Sequence, residues 1–325
     1  MGADQPLVVL NQLGEVTGRA IEALGPGLRV INDEHTPAWE RAHEADVLLT
    51  APRNGWRQAP KAPPAGWPGR LRWVQTASVG IDFFPPWIFD VAQVSCARGV
   101  AALPIAEYVF AALLAHNKAL DTRWVQSSEA WRREFQRAEQ QPLGLLHGQH
   151  LGLLGFGAIG RQVAQLALAF GMTVSALRRS DAGEFLPGVR RAESLAALLA
   201  ESDHLVLALP ITAETEGLLN AQTLAHARPG LHLVNIARGR LIDQEALLAA
   251  LDSGRIGAAT LDAVYPEPLP DGHRLYTHPA VRLSPHLSWS AGEVQQVTSA
   301  KVLDNLRRWL AGQPLLDVVD PAVGY

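Results

Sequence analysis

A chain of 325 residues, 48% hydrophobic and 18% charged, has the composition of an ordinary soluble globular protein and is long enough for two cores. Its net charge of −4 comes without a basic block, so no nucleic-acid partner is expected, and no apolar run is long enough to span a membrane. The single Cys96 forms neither an internal disulfide nor a zinc site, and the eleven histidines include no HExxH and no tight His/carboxylate cluster, so no metal is expected. The opening "MGADQPLVVLNQ" enters an apolar segment with no basic region or cleavage pattern, and a cytoplasmic location is the expectation.

In chain order, five short apolar runs at 7–10, 28–31, 46–50, 71–76 and 92–96 alternate with turns, which predicts a small α/β unit. The stretch "QAPKAPPAGWPG" (58–69) reads as a surface loop. From Ile105 to about Trp124 the sequence turns helical, with Ile105, Val109, Ala112, Leu113 and His116 at helix-face spacing. The segment "WRREFQRAEQQP" (131–142) is too polar for a core; it reads either as an arm contacting a partner or as a solvated helix.

After Gly148 the periodicity sharpens. Six apolar runs (151–155, 173–177, 205–209, 231–236, 258–261 and 281–284) and helical patterns at 158–170 and 243–254 predict a doubly wound parallel sheet. An amphipathic helix from Glu293 to Leu310 and the tail "GQPLLDVVDPAVGY" return to the first unit. The expected architecture is α/β: a large domain at 100–290 inserted into a smaller one made of 1–99 and 291–325.

The sequence "GFGAIG" (155–160) follows an apolar strand and opens a helix. Gly155 suits a tight turn, Gly157 a close backbone approach to a pyrophosphate, and Gly160 close helix–strand packing, with Phe156, Ala158 and Ile159 between them. A purely structural turn is the alternative. Ligands of open parallel sheets bind outside the carboxyl ends of the strands. There the sequence places Leu209 and Pro210 with Thr212 and Thr215, then Arg238 after 231–236, Asp262 and Glu267 after 258–261, and His286 after 281–284. A guanidinium, two carboxylates and an imidazole thus share one sheet edge with the glycine turn.

At the end of 173–177, where an NAD site places an acid for the ribose hydroxyls, the chain reads Arg178-Arg179-Ser180. Such residues suit a 2′-phosphate and favour NADP, with NAD as the other possibility. The alternative is that Asp181 serves the ribose while the arginines face solvent.

Taken together, "LGLLGFGAIGRQVA", "NIARGRLIDQEALLAAL" (235–251), "LDAVYPEPLP" (261–270) and "SPHLS" (284–288) resemble the D-isomer-specific 2-hydroxyacid dehydrogenases, and "ASVGID" (77–82) and "GVAALPIAEYV" (99–109) extend the likeness into the first domain. The resemblance implies a Rossmann-type dinucleotide domain inserted into a flavodoxin-like substrate domain. It implies a catalytic trio of Arg238, Glu267 and His286: a fork for the substrate carboxylate, a carboxylate beside the imidazole, and a general acid. It gives Val79 and Gly80 as backbone donors to the substrate and Asp262 as acceptor for the nicotinamide carboxamide. Leu209, Pro210, Thr215, Ile236 and Ala237 would line the cofactor, and the segment at about 118–147 would be a homodimer contact.

The chain departs from the family at Cys96-Ala97-Arg98-Gly99, where Asn-x-Pro-Gly is common. It also carries Ala51 where phosphoglycerate dehydrogenases tend to have an arginine, and Arg53 is not aligned with that position. A small unphosphorylated 2-oxo acid, glyoxylate or hydroxypyruvate, is therefore the expected substrate, reduced by NADPH to the D-2-hydroxy acid. Glu267 in place of glutamine separates the chain from formate dehydrogenases. A phosphoglycerate-type dehydrogenase and a dinucleotide-sensing, corepressor-like binding protein stay open as alternatives.

Overall fold

A computed structural model describes residues 6–119, 122–179 and 184–322. The chain divides into two compact units, Met1–Val100 with Ala291–Tyr325, and Ala101–Ser290. In chain order the first part of the smaller unit forms β1 (Leu7–Asn11), α1 (Glu15–Glu22), β2 (Leu28–Asn32), α2 (Ala38–Arg41), β3 (Val47–Thr50), β4 (Trp73–Thr76) and β5 (Gln93–Ser95). The larger unit follows with α3 (Ala102–Lys118), α4 (Ser128–Gln140), β6 (His150–Leu154), α5 (Ala158–Ala169), β7 (Thr173–Leu177), β8 (Val189–Arg191), α6 (Leu195–Glu201), β9 (His204–Leu207), α7 (Ala221–Leu224), β10 (Leu231–Asn235), α8 (Gln244–Asp252), β11 (Ile256–Leu261) and β12 (Val281–Leu283). Helix α9 (Val294–Leu310) completes the smaller unit.

The smaller unit holds a parallel sheet in the order β2-β1-β3-β4-β5. Its inner strands are buried on both faces, which is why they read as unbroken apolar runs. One face packs an aromatic cluster: Trp56 lies 5.3 Å from Trp39, and Trp67 lies 4.8 Å from Trp87, all edge-on. Trp67 belongs to the proline-rich stretch read as surface loop; the stretch forms turns, but its indole is pinned by a hydrogen bond to the Trp87 carbonyl. The other face carries Val9, Leu49 and Trp73 against Val302 and Leu306 of α9, with Trp73 stacked on Trp309 at 5.6 Å. The tail returns as a bridge onto β5: Cys96 N–H donates to Asp317 O and Val319 N–H to Val94 O.

The larger unit holds seven parallel strands in the order β12-β11-β10-β9-β6-β7-β8. The first strand, β6, lies inside the sheet and the chain winds outward from it both ways. The order therefore reverses between β6 and β9, which opens a crevice outside their carboxyl ends. The edge strand β8 was not among the six expected runs, because "VRR" has no apolar stretch to reveal it. Helix α3 ends at Lys118, short of the expected Trp124, with Ala119 in the left-handed conformation as its cap. No described helix is long and apolar enough to cross a membrane.

Candidate active site

The glycine turn joins β6 to α5. Gly155 has φ +103, and a Cβ there would sit 2.4 Å from the Ala208 carbonyl oxygen, so only glycine fits beside the end of β9. A Cβ at Gly160 would lie 2.5 Å from the Gly155 oxygen, which explains how closely α5 starts against the strand. Gly157 differs: nothing lies within 4 Å of its Cβ position, and its backbone is exposed. Gly157 is also the N-cap of α5 and supplies no side chain to cap it, so the first-turn N–H groups and the helix dipole are offered outward. Phe156 is buried under this turn against Phe185, while Ala158 and Ile159 are half-buried in the first helical turn. An open glycine backbone at an uncapped helix start fits a dinucleotide pyrophosphate.

Arg178 and Arg179 follow the end of β7. The Arg178 guanidinium lies 4.4 Å from the Phe185 ring centroid, a cation–π contact, and Arg179 pairs with Glu214 at 3.4 Å on the surface. Ser180, expected to join them, and Asp181 lie outside the described residues. In the loop after β9, Leu209 is half-buried and Pro210 exposed. The Thr215 hydroxyl fastens that loop, donating to the Pro210 carbonyl at 2.9 Å and accepting from Thr212 N–H at 2.8 Å.

Beyond β10 the chain is shaped by the fully buried Asn235. Its Oδ1 accepts from Ala237 N–H, and its amide donates to the carbonyls of Arg238 and Ala263. Ile236 and Ala237 are buried, and Arg238 stands half-buried with one Nη donating to the Ala237 carbonyl. The next residue must be glycine: a Cβ on Gly239 would come within 2.0 Å of the Val264 carbonyl carbon.

Glu267 and His286 are in contact, the imidazole Nδ1 lying 3.0 and 3.1 Å from the two carboxylate oxygens. Burial pushes the Glu267 carboxyl up. The hydrogen bond and charge of His286, the Val264 N–H and the Arg238 charge together outweigh it, so Glu267 is held below the usual glutamate value. As an ionised acceptor it fixes the proton on Nδ1 and leaves Nε2 for exchange with a substrate. His286 itself sits at φ +52, a strained position for a non-glycine residue, and its carbonyl accepts from the Trp289 indole at 2.8 Å.

Asp262 is nearly fully buried behind this loop. Its Oδ1 accepts from the Ser284 hydroxyl at 2.5 Å and Leu287 N–H at 2.9 Å, and its Oδ2 accepts from Ser288 N–H at 2.9 Å. The Tyr108 hydroxyl reaches Ser284 Oγ at 2.5 Å. Val79 and Gly80 belong to the smaller unit, on the loop after β4, where Val79 is exposed and the Ser78 hydroxyl donates to the Gly80 carbonyl. The larger unit thus unites Arg238, Glu267, His286 and the glycine turn at the carboxyl edge of one sheet. Asn235, Gly239, Tyr108, Ser284 and Trp289, which the sequence did not single out as functional, hold those groups in place.

Fold and site together define a dinucleotide-binding α/β protein with an acid–base pair at the carboxyl edge of its sheet. Residues 110–288 match the family described as D-isomer specific 2-hydroxyacid dehydrogenase, NAD binding domain. The chain is 40% identical over 178 residues to glyoxylate/hydroxypyruvate reductase A of Serratia proteamaculans, covering 54% of this chain and 56% of that one. It is 30% identical over 256 residues to glycerate dehydrogenase of Methylorubrum extorquens, covering 75% and 77%. A D-isomer specific 2-hydroxyacid dehydrogenase from Xanthobacter autotrophicus Py2, solved in complex with NADPH and MES, superposes with a TM-score of 0.76 at 29% identity, covering 99% of this chain and 100% of that one. The match spans about half the length of the Serratia protein. The chain belongs to the D-isomer-specific 2-hydroxyacid dehydrogenase family.

Proposed function

We propose that this protein reduces a small 2-oxo acid, of the glyoxylate or hydroxypyruvate type, to the D-2-hydroxy acid, with NADPH preferred over NADH. The observation that carries the reading is the Glu267–His286 pair, with the Arg238 charge acting on it, at the sheet edge that bears the glycine turn. A bound nicotinamide dinucleotide would supply the hydride. Gly157 and the α5 N-terminus would hold its pyrophosphate, Arg178 and Arg179 its 2′-phosphate, Leu209, Pro210, Ile236 and Ala237 would flank it, and Asp262 would accept from its carboxamide.

The chain supplies the rest. Arg238 binds the substrate carboxylate through charge-assisted hydrogen bonds and polarises the neighbouring carbonyl. As negative charge develops on the carbonyl oxygen, His286 delivers a proton from Nε2, and the Glu267 carboxylate offsets the imidazolium charge before the transfer and orients the ring throughout. The small-substrate reading is supported by Ala51, which is buried at the end of β3 and brings no cation to that position. The relatives' names, a glyoxylate/hydroxypyruvate reductase and a glycerate dehydrogenase, point the same way. We further propose a homodimer built on the segment that contains α4.

The test is a matrix of NADPH and NADH against glyoxylate, hydroxypyruvate, pyruvate and phosphohydroxypyruvate, with Arg238→Ala and His286→Gln as controls. Removing the general acid is expected to lower kcat by about 10²–10⁴. Unchanged turnover in either variant would sink the assignment.

A further inference from the structure

Three hydrogen bonds set the Asp262 carboxylate, and a fourth, one step further out, is made by a residue remote in sequence. A carboxylate oxygen offers two acceptor directions. On Oδ1 both are taken, by Ser284 Oγ and Leu287 N–H; on Oδ2 one is taken, by Ser288 N–H. One direction on Oδ2 is left over. Ser284 has a single hydroxyl proton and gives it to Asp262, so at the 2.5 Å contact Tyr108 must be the donor and Ser284 the acceptor. Tyr108 comes from α3, whereas Ser284 and Asp262 follow β12 and β11, so the chain of bonds ties three elements together. Burial and the nearby Asp262 charge push the Tyr108 phenol up, and the Ser284 contact only partly offsets them, which keeps the hydroxyl protonated and donating.

We propose that Tyr108 is a positioning residue for the hydride-transfer site. Its hydroxyl fixes the Ser284 rotamer, Ser284 fixes which oxygen of Asp262 is saturated, and Asp262 then sets both the loop that carries His286 and the single acceptor direction open to a nicotinamide carboxamide. Acid and cofactor headgroup would thereby be registered against each other through one carboxylate. Loss of the phenol hydroxyl frees Ser284 to rotate, which loosens both arms of the device at once. A phenylalanine keeps the ring and its packing, so the substitution isolates the hydroxyl.

The carboxamide part of this proposal rests on the dinucleotide reading above. The test uses the full-length protein and two ligands: NADPH, and 2′-phospho-ADP-ribose, which keeps the phosphates and adenosine but lacks the nicotinamide. Tyr108→Phe should weaken NADPH about three- to tenfold, as expected for one neutral hydrogen bond, Ser284→Ala at least as much because it also removes the bond to the Asp262 carboxylate, and both should leave 2′-phospho-ADP-ribose unchanged. Ser284→Thr, which retains the hydroxyl, should bind like the parent protein. The double variant should lose little more than Ser284→Ala alone, because both break the same chain.

Independently of any ligand, amide hydrogen exchange at Leu287 and Ser288 should accelerate in Tyr108→Phe. In turnover, kcat should fall while KM for the 2-oxo acid moves less. Equal weakening of the two ligands, or unchanged exchange at Leu287 and Ser288, would overturn the proposal. Tight NADPH binding without turnover on any 2-oxo acid would overturn the reductase reading instead and leave this test standing.

Discussion

Arg178 illustrates how much one residue decides at a strand end. Its guanidinium is held against Phe185, so the charge is already directed when a ligand arrives and less rotamer freedom is lost on binding. Arg179 pairs with Glu214 on the surface, a contact worth about 0–1 kcal/mol. Each charge-assisted bond to a 2′-phosphate contributes about 1.5–3 kcal/mol, a factor of roughly ten to a hundred. Arg178→Asp removes one such bond and adds repulsion. The expected outcome is a fall of at least about tenfold in kcat/KM with NADPH, with NADH retained or improved. Steady-state kinetics with both dinucleotides check this, and equal use of the two by the unaltered protein would count against it. His286 shows the reverse relation between residue and fold. Its left-handed backbone costs of order 1–3 kcal/mol, and the Glu267 and Trp289 contacts hold the residue there.

At the scale of elements, the segment that reads either as a partner-contacting arm or as a solvated helix forms α4, and the choice between partner and solvent stays with experiment. The helix is capped by Ser127, whose hydroxyl accepts from Ala130 N–H, and none of its residues is buried. Trp131 and Phe135, one turn apart, are 65% and 62% exposed, a large apolar pair on an otherwise charged helix. A second copy of the chain is the proposed cover. Replacing both with glutamate should convert a dimer to a monomer in light scattering and leave the circular dichroism spectrum unchanged, since neither residue supports the core. A monomer in the parent protein would refute the idea.

The same elements show what was legible beforehand. Strands buried on both faces announce themselves as apolar runs, and their polar ends placed Arg238, Glu267 and His286 at one sheet edge, while roles for them came only through the family resemblance. Strand β8 had no such run, and α6, an almost wholly apolar seven residues, has no polar face whose period would mark it as a helix. Tyr108 was invisible for another reason: it meets Ser284 across 176 residues of chain, a contact that exists only after the sheet is wound.

On the scale of the whole molecule, the larger sheet divides its labour between its two edges. Reactive groups follow the carboxyl ends of the strands, while the opposite edge buries two histidines and sets a third, exposed one against them. His204 opens β9, His232 lies beside it in register on β10, and His116 of α3 stacks on His232 at 4.2 Å. The ring nitrogens of His204 and His232 are all engaged: His204 Nε2 lies 2.8 Å from Gln149 Oε1 and 3.1 Å from Asn117 Nδ2, the two Nδ1 atoms lie 3.1 Å apart, and His232 Nε2 lies 3.0 Å from the Thr260 hydroxyl. One proton serves the 3.1 Å contact between the two Nδ1 atoms; protonating both rings would set N–H against N–H there.

Burial, and then the neighbouring His116, depress His204 to about 4, with Asp203 pulling the other way; burial, His116 and His204 push His232 well below the ordinary histidine value. Asp203 is itself engaged by Arg228. The sign follows from linkage. Below the unfolded value of about 6.5 the unfolded chain takes up protons that the native state refuses, so stability is lost as pH falls from about 6.5 towards 4. A histidine that stays neutral contributes about 1.4 kcal/mol per pH unit across that window, so His204 alone removes about 2 kcal/mol between pH 7 and 5, and His232 acts in the same direction. Urea unfolding at the two pH values measures the loss. In His232→Gln one titrating ring is gone, and the pH 7-to-5 difference should shrink. A difference identical to that of the parent protein would show that acid sensitivity arises elsewhere. This instability lies at the sheet edge away from His286, so it should appear as loss of folded protein while the activity per folded molecule follows its own pH profile.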